Sequence, residues 1–211
     1  FEESGSINNE YFWQDLLCSQ YLFKNRAKIV AAHYDIGSRI DGFVSSVAAY
    51  TECVVFDIRP QTSTYKNIDF QQLDLTGTLS EKYIGLADTL SCLHTLEHIG
   101  LGRYGDTLSA DSWKVALKNM SMMLKDESSE LILSTLCGRP EILFNSHRIF
   151  DLEDLENEFT SNGLMIKSLA INNIAKQWQF EDWSENHKLI ISQSDYNLVV
   201  FVLHKLEKNE I

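Results

Sequence analysis

Apolar positions along the chain gather into short runs, and the runs differ in period. Over residues 11–26, Phe12, Leu16, Leu22 and Phe23, with the small Ser19, recur at helical spacing. The next run, residues 28–36, is nearly continuous and reads as a buried strand that breaks at Gly37. The alternation then repeats. Residues 42–50 predict a helix, 53–57 a short β-branched strand, 68–75 a wetter strand and 86–93 another. The clearest helix is 111–124, where Trp113, Ala116, Leu117, Met120, Met123 and Leu124 share one face and Asp111 or Ser109 is placed to cap. Residues 130–136 predict a strand, and 151–162 a helix with Asp151 as cap and Gly163 as stop. Residues 164–171 and 196–203 predict closing strands, the last inserted beside its neighbour in an antiparallel sense, with 172–190 as a long loop before it.

Strands spaced by helical patterns imply βαβ units and a mostly parallel sheet. Such sheets hold ligands outside the carboxyl ends of their strands, so Gly37, Asp57, Asp74, Leu93 with His94, and Cys137 with Gly138 are the residues to read. Composition agrees: 211 residues, 44% hydrophobic and 23% charged, suit one α/β domain with a sizeable core. Residues 1–10 read as a flexible segment and 11–211 as a single domain. The formal net charge of −12 repels phosphate backbones, and no basic run offsets it, so nucleic acid is not an expected partner. No apolar stretch approaches ~20 residues, so no membrane span is expected. Phe1-Glu2-Glu3-Ser4 does not spell a secretory signal, and without an initiator Met it reads as a trimmed or partial chain. Cys18, Cys53, Cys92 and Cys137 form no CxxC pair and read as reduced buried thiols, which points to a cytoplasmic setting. The oligomeric state stays open, a homodimer included.

The turn after the first strand narrows the ligand. Asp57 closes the second strand twenty residues after Gly37, and an acid there accepts hydrogen bonds from ribose hydroxyls. This pair suits a dinucleotide or S-adenosylmethionine. A dinucleotide loop needs a glycine two residues after the first, so that backbone approaches pyrophosphate; Arg39 stands there and would obstruct. S-adenosylmethionine carries no phosphate, and Asp35 can hold its ammonium group, so it is preferred over NAD.

At these residues the chain resembles class I S-adenosylmethionine-dependent methyltransferases. The likeness rests on Asp35-Ile36-Gly37-Ser38, on residues 55–60 around Asp57, on Gln72-Leu73-Asp74-Leu75 and on residues 91–98. With residues 102–106 and 144–150 it is similar, more narrowly, to a domain-of-unknown-function family in that clan. The resemblance covers residues 11–165 and implies a Rossmann-like, doubly wound, mostly parallel seven-stranded sheet with helices on both faces. It further implies that Asp35, Gly37 and Ser38 line the methionine part of S-adenosylmethionine, Asp57 and Ile58 the ribose side, Asp74 and Leu75 the adenine, and Ser91, Cys92 and Leu93 the floor near the sulfonium. Arg39 and residues 125–129 depart from the usual pattern of the clan.

Two histidine clusters could carry chemistry. His94-Thr95-Leu96-Glu97-His98 has the HxxEH spelling of some zinc peptidases. Gly100 and Gly102 break any helix there and the segment follows a strand, so no metal is expected. The second cluster is Asn145-Ser146-His147-Arg148, on a loop expected over the same sheet edge. His147 or His94 is the candidate general base, since a free imidazole titrates near pH ~6.5. Glu97, His98, Arg103, Tyr104, Asn145 and Arg148 are the candidate acceptor-binding residues. The expected reaction is methyl transfer to an oxygen of a small molecule or saccharide, the sugar being suggested by the polar loops. The alternatives are a methyltransferase-like scaffold without catalysis, motivated by Arg39, and a zinc hydrolase built on HxxEH.

Overall fold

A parallel ladder forms only where each backbone has a partner, and this sets where the first strand begins. In the computed structural model, which describes residues 10–62, 65–172 and 178–206, strand β1 covers only His33–Ile36. Its neighbour β2 (Cys53–Asp57) starts with Cys53 opposite His33, so residues 28–32 have no ladder to join. They follow a 3-10 turn at Arg26–Lys28, Val30 stands exposed, and Lys28 Nζ reaches Glu130 Oε1 at 2.6 Å. The apolar run therefore overstates the strand.

The remaining strands are β3 (Ile68–Gln72), β4 (Thr89–Leu93), β5 (Glu130–Cys137), β6 (Glu141–Leu143), β7 (His147–Ile149), β8 (Leu164–Ile171), β9 (Glu181–Asp182) and β10 (Asn197–Lys205). The main sheet runs β3-β2-β1-β4-β5-β10-β8-β9. Neighbours from β3 to β5 are parallel, and β10 lies antiparallel between β5 and β8, as expected for the last strand. The sheet has eight strands rather than seven, because the two-residue β9 pairs with Ser168 and Leu169 at the edge. The stretch read as a long loop, 172–190, in fact contains β9 and the start of a helix, Glu185–Ser192. A second correction concerns the loop holding Asn145 and His147: it is the β6-β7 hairpin, with Asn145 at φ 49° in its turn.

Helices cover both faces of the sheet. On one face, α3 (Ser112–Met123), α4 (Leu152–Ser161) and α5 (Glu185–Ser192) bury Trp113, Leu117, Met120, Leu155, Phe159 and Ile191 against β4, β5, β8 and β10. On the other, α1 (Glu10–Lys24), the π-helical turn Ile40–Val44 and the single turn α2 (Ser45–Ala48) bury Cys18, Leu22, Phe43, Val44 and Val47 against Val55, Leu93 and Val200. Helix α1 is rotated from the stripe the pattern suggests. Phe12, Leu16 and Phe23 are exposed, while Gln14, Leu17, Cys18, Ser19 and Leu22 are buried. All four cysteines are free buried thiols. Among the described residues no helix is long and apolar enough to cross a membrane.

Candidate functional site

The carboxyl ends of β1, β2 and β4 open into a cavity of about 580 Å³, within the range of small-molecule sites. At its base, Gly37 has φ 74°, and a methyl group there would stand 2.6 Å from the Thr95 side chain. Only glycine lets the β1 turn pass this close to the turn after β4. Beneath it lies a buried polar chain. Ser38 N–H and hydroxyl donate to Asp35 at 3.1 and 2.9 Å, and the Ser91 hydroxyl donates to Asp35 Oδ2 in a short bond. Ser91 Oγ is 2.8 Å from His33 Nε2, and His33 Nδ1 is 2.9 Å from Thr89 Oγ1. Since Ser91 gives its only proton to Asp35, His33 donates through Nε2 and accepts from Thr89 at Nδ1, so it is neutral. Burial pushes His33 down to about 3. Burial also raises Asp35 to about 6, against the pull of the Ser91 and Ser38 hydrogen bonds.

Next along the cavity come the β2 and β3 ends. Asp57 accepts from the Arg59 backbone N–H, Nε and Nη2 at 2.8, 2.9 and 2.5 Å, and Arg59 lies over the Tyr104 ring at 4.5 Å. Asp74 Oδ1 closes a turn by accepting from Thr76 N–H and hydroxyl. Leu75 is anchored through its carbonyl by Asn119 of α3 at 2.8 Å. Ile36, Phe56, Ile58, Leu73 and Leu75 add an apolar wall.

The opposite wall is built around His94. Its φ of 50° is a left-handed conformation that costs a non-glycine residue ~1 kcal/mol or more. The backbone is held there by Ser134, whose hydroxyl receives His94 N–H at 2.9 Å. The imidazole Nδ1 lies 2.7 Å from Oε1 of the fully buried Glu97, whose Oε2 takes the Thr135 hydroxyl at 3.3 Å. Where Nδ1 donates to Glu97 in this contact, a neutral ring keeps the lone pair on Nε2. Nε2 is buried and has no partner among the described residues, while His94 lines the cavity. Tyr11 of α1 packs on the ring, centroids 4.5 Å apart.

The residues read from the sequence separate into groups. Gly37, Ser38, Asp57, Ile58, Asp74, Leu75, Leu93, His94, His98 and Tyr104 line one cavity. Asp35, Ser91, Cys92 and Glu97 are fully buried behind its wall, so each reaches the cavity only through a neighbour. Arg103, Asn145, His147 and Arg148 do not line it. The hairpin buttresses the His94–His98 segment from outside. His98 Nδ1 donates to Ser146 O at 2.5 Å, Arg148 Nη1 to Ile99 O at 2.6 Å, and Arg103 Nη1 to Ser146 O at 3.5 Å. His147 bonds the neighbouring Ser146 hydroxyl at 3.0 Å. Arg148 is thus buried against carbonyls rather than paired with a surface acid. The HxxEH segment is a 3-10 turn, Leu96–His98, with His94 outside it and turned onto Glu97, so the two histidines do not share a helix face. Among the described residues no cluster of three or more His, Cys, Asp or Glu side chains could hold a metal.

Sequence reading missed the contribution of α1: Tyr11, Phe12, Gln14 and Asp15 all line the cavity. The available signal was the polar pair Gln14-Asp15 on a helix whose neighbours are apolar. Gln14 links the parts, since its Oε1 accepts the Ser134 hydroxyl in a short bond and its Nε2 donates to Asp15 Oδ1 at 3.2 Å. Arg39 stands at the rim with its side chain 84% exposed and paired with Asp41 at 2.5 Å. It does not plug the cavity.

No protein-family model matches the sequence, and no curated protein matches it. Solved structures match in shape. The 1,6-didemethyltoxoflavin-N1-methyltransferase of Burkholderia thailandensis, solved with 1,6-didemethyltoxoflavin and S-adenosylhomocysteine, superposes with a TM-score of 0.62 at 10% identity over 92% of this chain and 80% of that one. The magnesium protoporphyrin IX methyltransferase of Synechocystis, solved with bound S-adenosylmethionine, gives 0.60 at 12% identity over 96% and 87%. The cyclase SpnF gives 0.59 at 11% identity over 91% and 81%. The chain therefore has the Rossmann-like α/β fold of class I methyltransferases.

Proposed function

We propose that this chain is an S-adenosylmethionine-dependent methyltransferase that methylates an oxygen of a small molecule or saccharide, with His94 as general base. The observation that carries the reading is one cavity with two chemically distinct ends. One end has a glycine turn, the Asp57 and Asp74 strand-end acids and an apolar wall. The other has the imidazole of His94, which lines the same cavity and whose buried Nε2 has no hydrogen-bond partner among the described residues. A fold shared with a cyclase does not fix a reaction, so the argument rests on these groups.

The residues present suit the cofactor. The Gly37 turn leaves room for it, and Arg39 points to solvent, which removes the motive for a non-catalytic scaffold. Gly37 and Ser38 would hold the methionine part, Asp57 and Ile58 the ribose, Asp74 and Leu75 the adenine, and Leu93 the floor. When bound, S-adenosylmethionine supplies an electrophilic methyl group on a positively charged sulfur. The chain then has to align an acceptor and remove its proton. His94 Nε2 takes that proton, and the resulting imidazolium is stabilised by Glu97 at Nδ1. Glu97 is a positioning residue, and Thr135 fixes it in turn. Tyr11, Phe12, His98, Tyr104 and Asp106 also line the cavity, a mix of aromatic and polar side chains that suits a sugar or another hydroxyl-bearing ring.

Titration calorimetry with S-adenosylmethionine and S-adenosylhomocysteine tests the cofactor, with one site expected. Transfer of a labelled methyl group to a panel of phenols, small alcohols and saccharides tests the acceptor. Folded protein that binds neither ligand would overturn the reading.

A further inference from the structure

The acids around the cavity are not equivalent. Asp41 is matched by Arg39 and Asp57 by Arg59. Asp74 closes a turn on Thr76, and Asp106 accepts backbone N–H groups from Gly100, Gly102 and Tyr104 at 2.6, 3.3 and 3.2 Å. Asp35 is fully buried, with Oδ1 engaged by Ser38 N–H and Oδ2 by the Ser38 and Ser91 hydroxyls. Asp15 differs from all of these. It lines the cavity from α1 and makes no ion pair among the described residues; its bonds are to the Gln14 amide and, at 3.1 Å, to Phe43 N–H. Its Oδ2 presses so close to the backbone that a methyl group at Gly42 would stand 2.1 Å away. It thus sits on the loop that follows Gly37, on the His94 side.

We infer that Asp15 receives the α-ammonium group of the S-adenosyl ligand, the contact that Asp35, sealed beneath the Gly37 turn, is not placed to make. This rests on the methyltransferase reading above. A half-buried carboxylate without a cation gains most when one arrives, because partial desolvation weakens competition from water. Burial raises Asp15 from its ordinary value, and the hydrogen bonds from the Gln14 amide and Phe43 N–H partly offset this. The Gln14–Ser134 bonds tie that carboxylate to the backbone of His94, so occupancy of the ammonium site and placement of the base share one rigid relay.

The test compares two ligands on the full chain. S-adenosylhomocysteine carries the ammonium group, and 5′-methylthioadenosine lacks the whole amino-acid part. Asp15→Asn keeps an acceptor for Phe43 N–H and removes the charge. It is expected to weaken S-adenosylhomocysteine by about tenfold or more while leaving methylthioadenosine unchanged. Gly42→Ala, which displaces the carboxylate, is expected to act the same way. Unchanged S-adenosylhomocysteine affinity, or an equal loss for both ligands, would overturn the assignment and leave the methyltransferase reading standing. Wild-type protein that binds neither ligand would remove that reading and this inference with it. Should both variants fail to fold, wild-type affinities for S-adenosylhomocysteine and its deaminated analogue decide: a loss on deamination supports the contact, and equal affinity excludes it.

Discussion

His94 combines a left-handed backbone, a buried acid on Nδ1 and a vacant Nε2, and each feature has a cost that the fold offsets elsewhere. His94→Ala is expected to lower the methyl-transfer rate ~10²–10⁴-fold with little change in cofactor affinity. Glu97→Gln is expected to lower kcat less and to move the acid limb of the kcat–pH profile, which a purely structural role would leave in place. His147→Ala should have the smaller effect of the two histidine changes, because His147 lies outside the cavity; stopped-flow and steady-state rates on both variants check this. The buried chain below gives a pH test. Folded His33 resists protonation until about pH 3, whereas the unfolded residue takes a proton near ~6.5, so its contribution to stability is lost as pH falls through that window. Folded Asp35 takes a proton near 6 and the unfolded residue near ~3.9, so acid increases stability over that narrower range. The two oppose each other. Asp35→Asn removes the gain, and its urea midpoint should fall more steeply than that of the wild type between pH 6 and 4. Equal slopes would contradict the proton assignment.

Helix termini show how far local sequence carries. Asp151 and Asp111 both look like N-caps, and only the first acts as one. Asp151 accepts N–H groups from Glu153 and Asp154 at 2.9 and 3.2 Å, whereas the Asp111 side chain makes no capping bond. Asp151→Ala should therefore cost about 1 kcal/mol in urea unfolding and Asp111→Ala within ~0.5 kcal/mol of nothing. Helix α3 was legible because Trp113, Ala116, Leu117, Met120 and Met123 repeat at its own period. Helix α1 was legible in extent but not in orientation, since the relay through Gln14 and Ser134 turns a polar side inward and leaves Phe12 and Leu16 exposed. The start of β1 was misjudged for a different reason: the apolar run begins ahead of the point where a partner strand is available.

On the function proposed above, the sheet and the cavity make a molecule that its cofactor stabilises. Saturation with S-adenosylhomocysteine at a hundredfold its Kd should raise the melting temperature by roughly 5–10 °C. Asp57→Ala should reduce that shift, through loss of charged hydrogen bonds worth ~1.5–3 kcal/mol, and an unchanged shift would displace the ribose from Asp57. By itself the sequence determined the α/β class, the parallel order implied by strand–helix alternation, and the strand-end residues Gly37, Asp57, Asp74 and His94. All of these are written in periods and turn chemistry, which act over a few neighbouring residues. Only the tertiary structure decided that the β6-β7 hairpin supports the His94 segment from outside, that Asp35 is sealed while Asp15 is open, and that Arg39 leaves the cavity clear. Those outcomes depend on contacts between residues up to 120 positions apart, as between Gln14 and Ser134, and hydrogen-bond competition at that range leaves no local pattern to read.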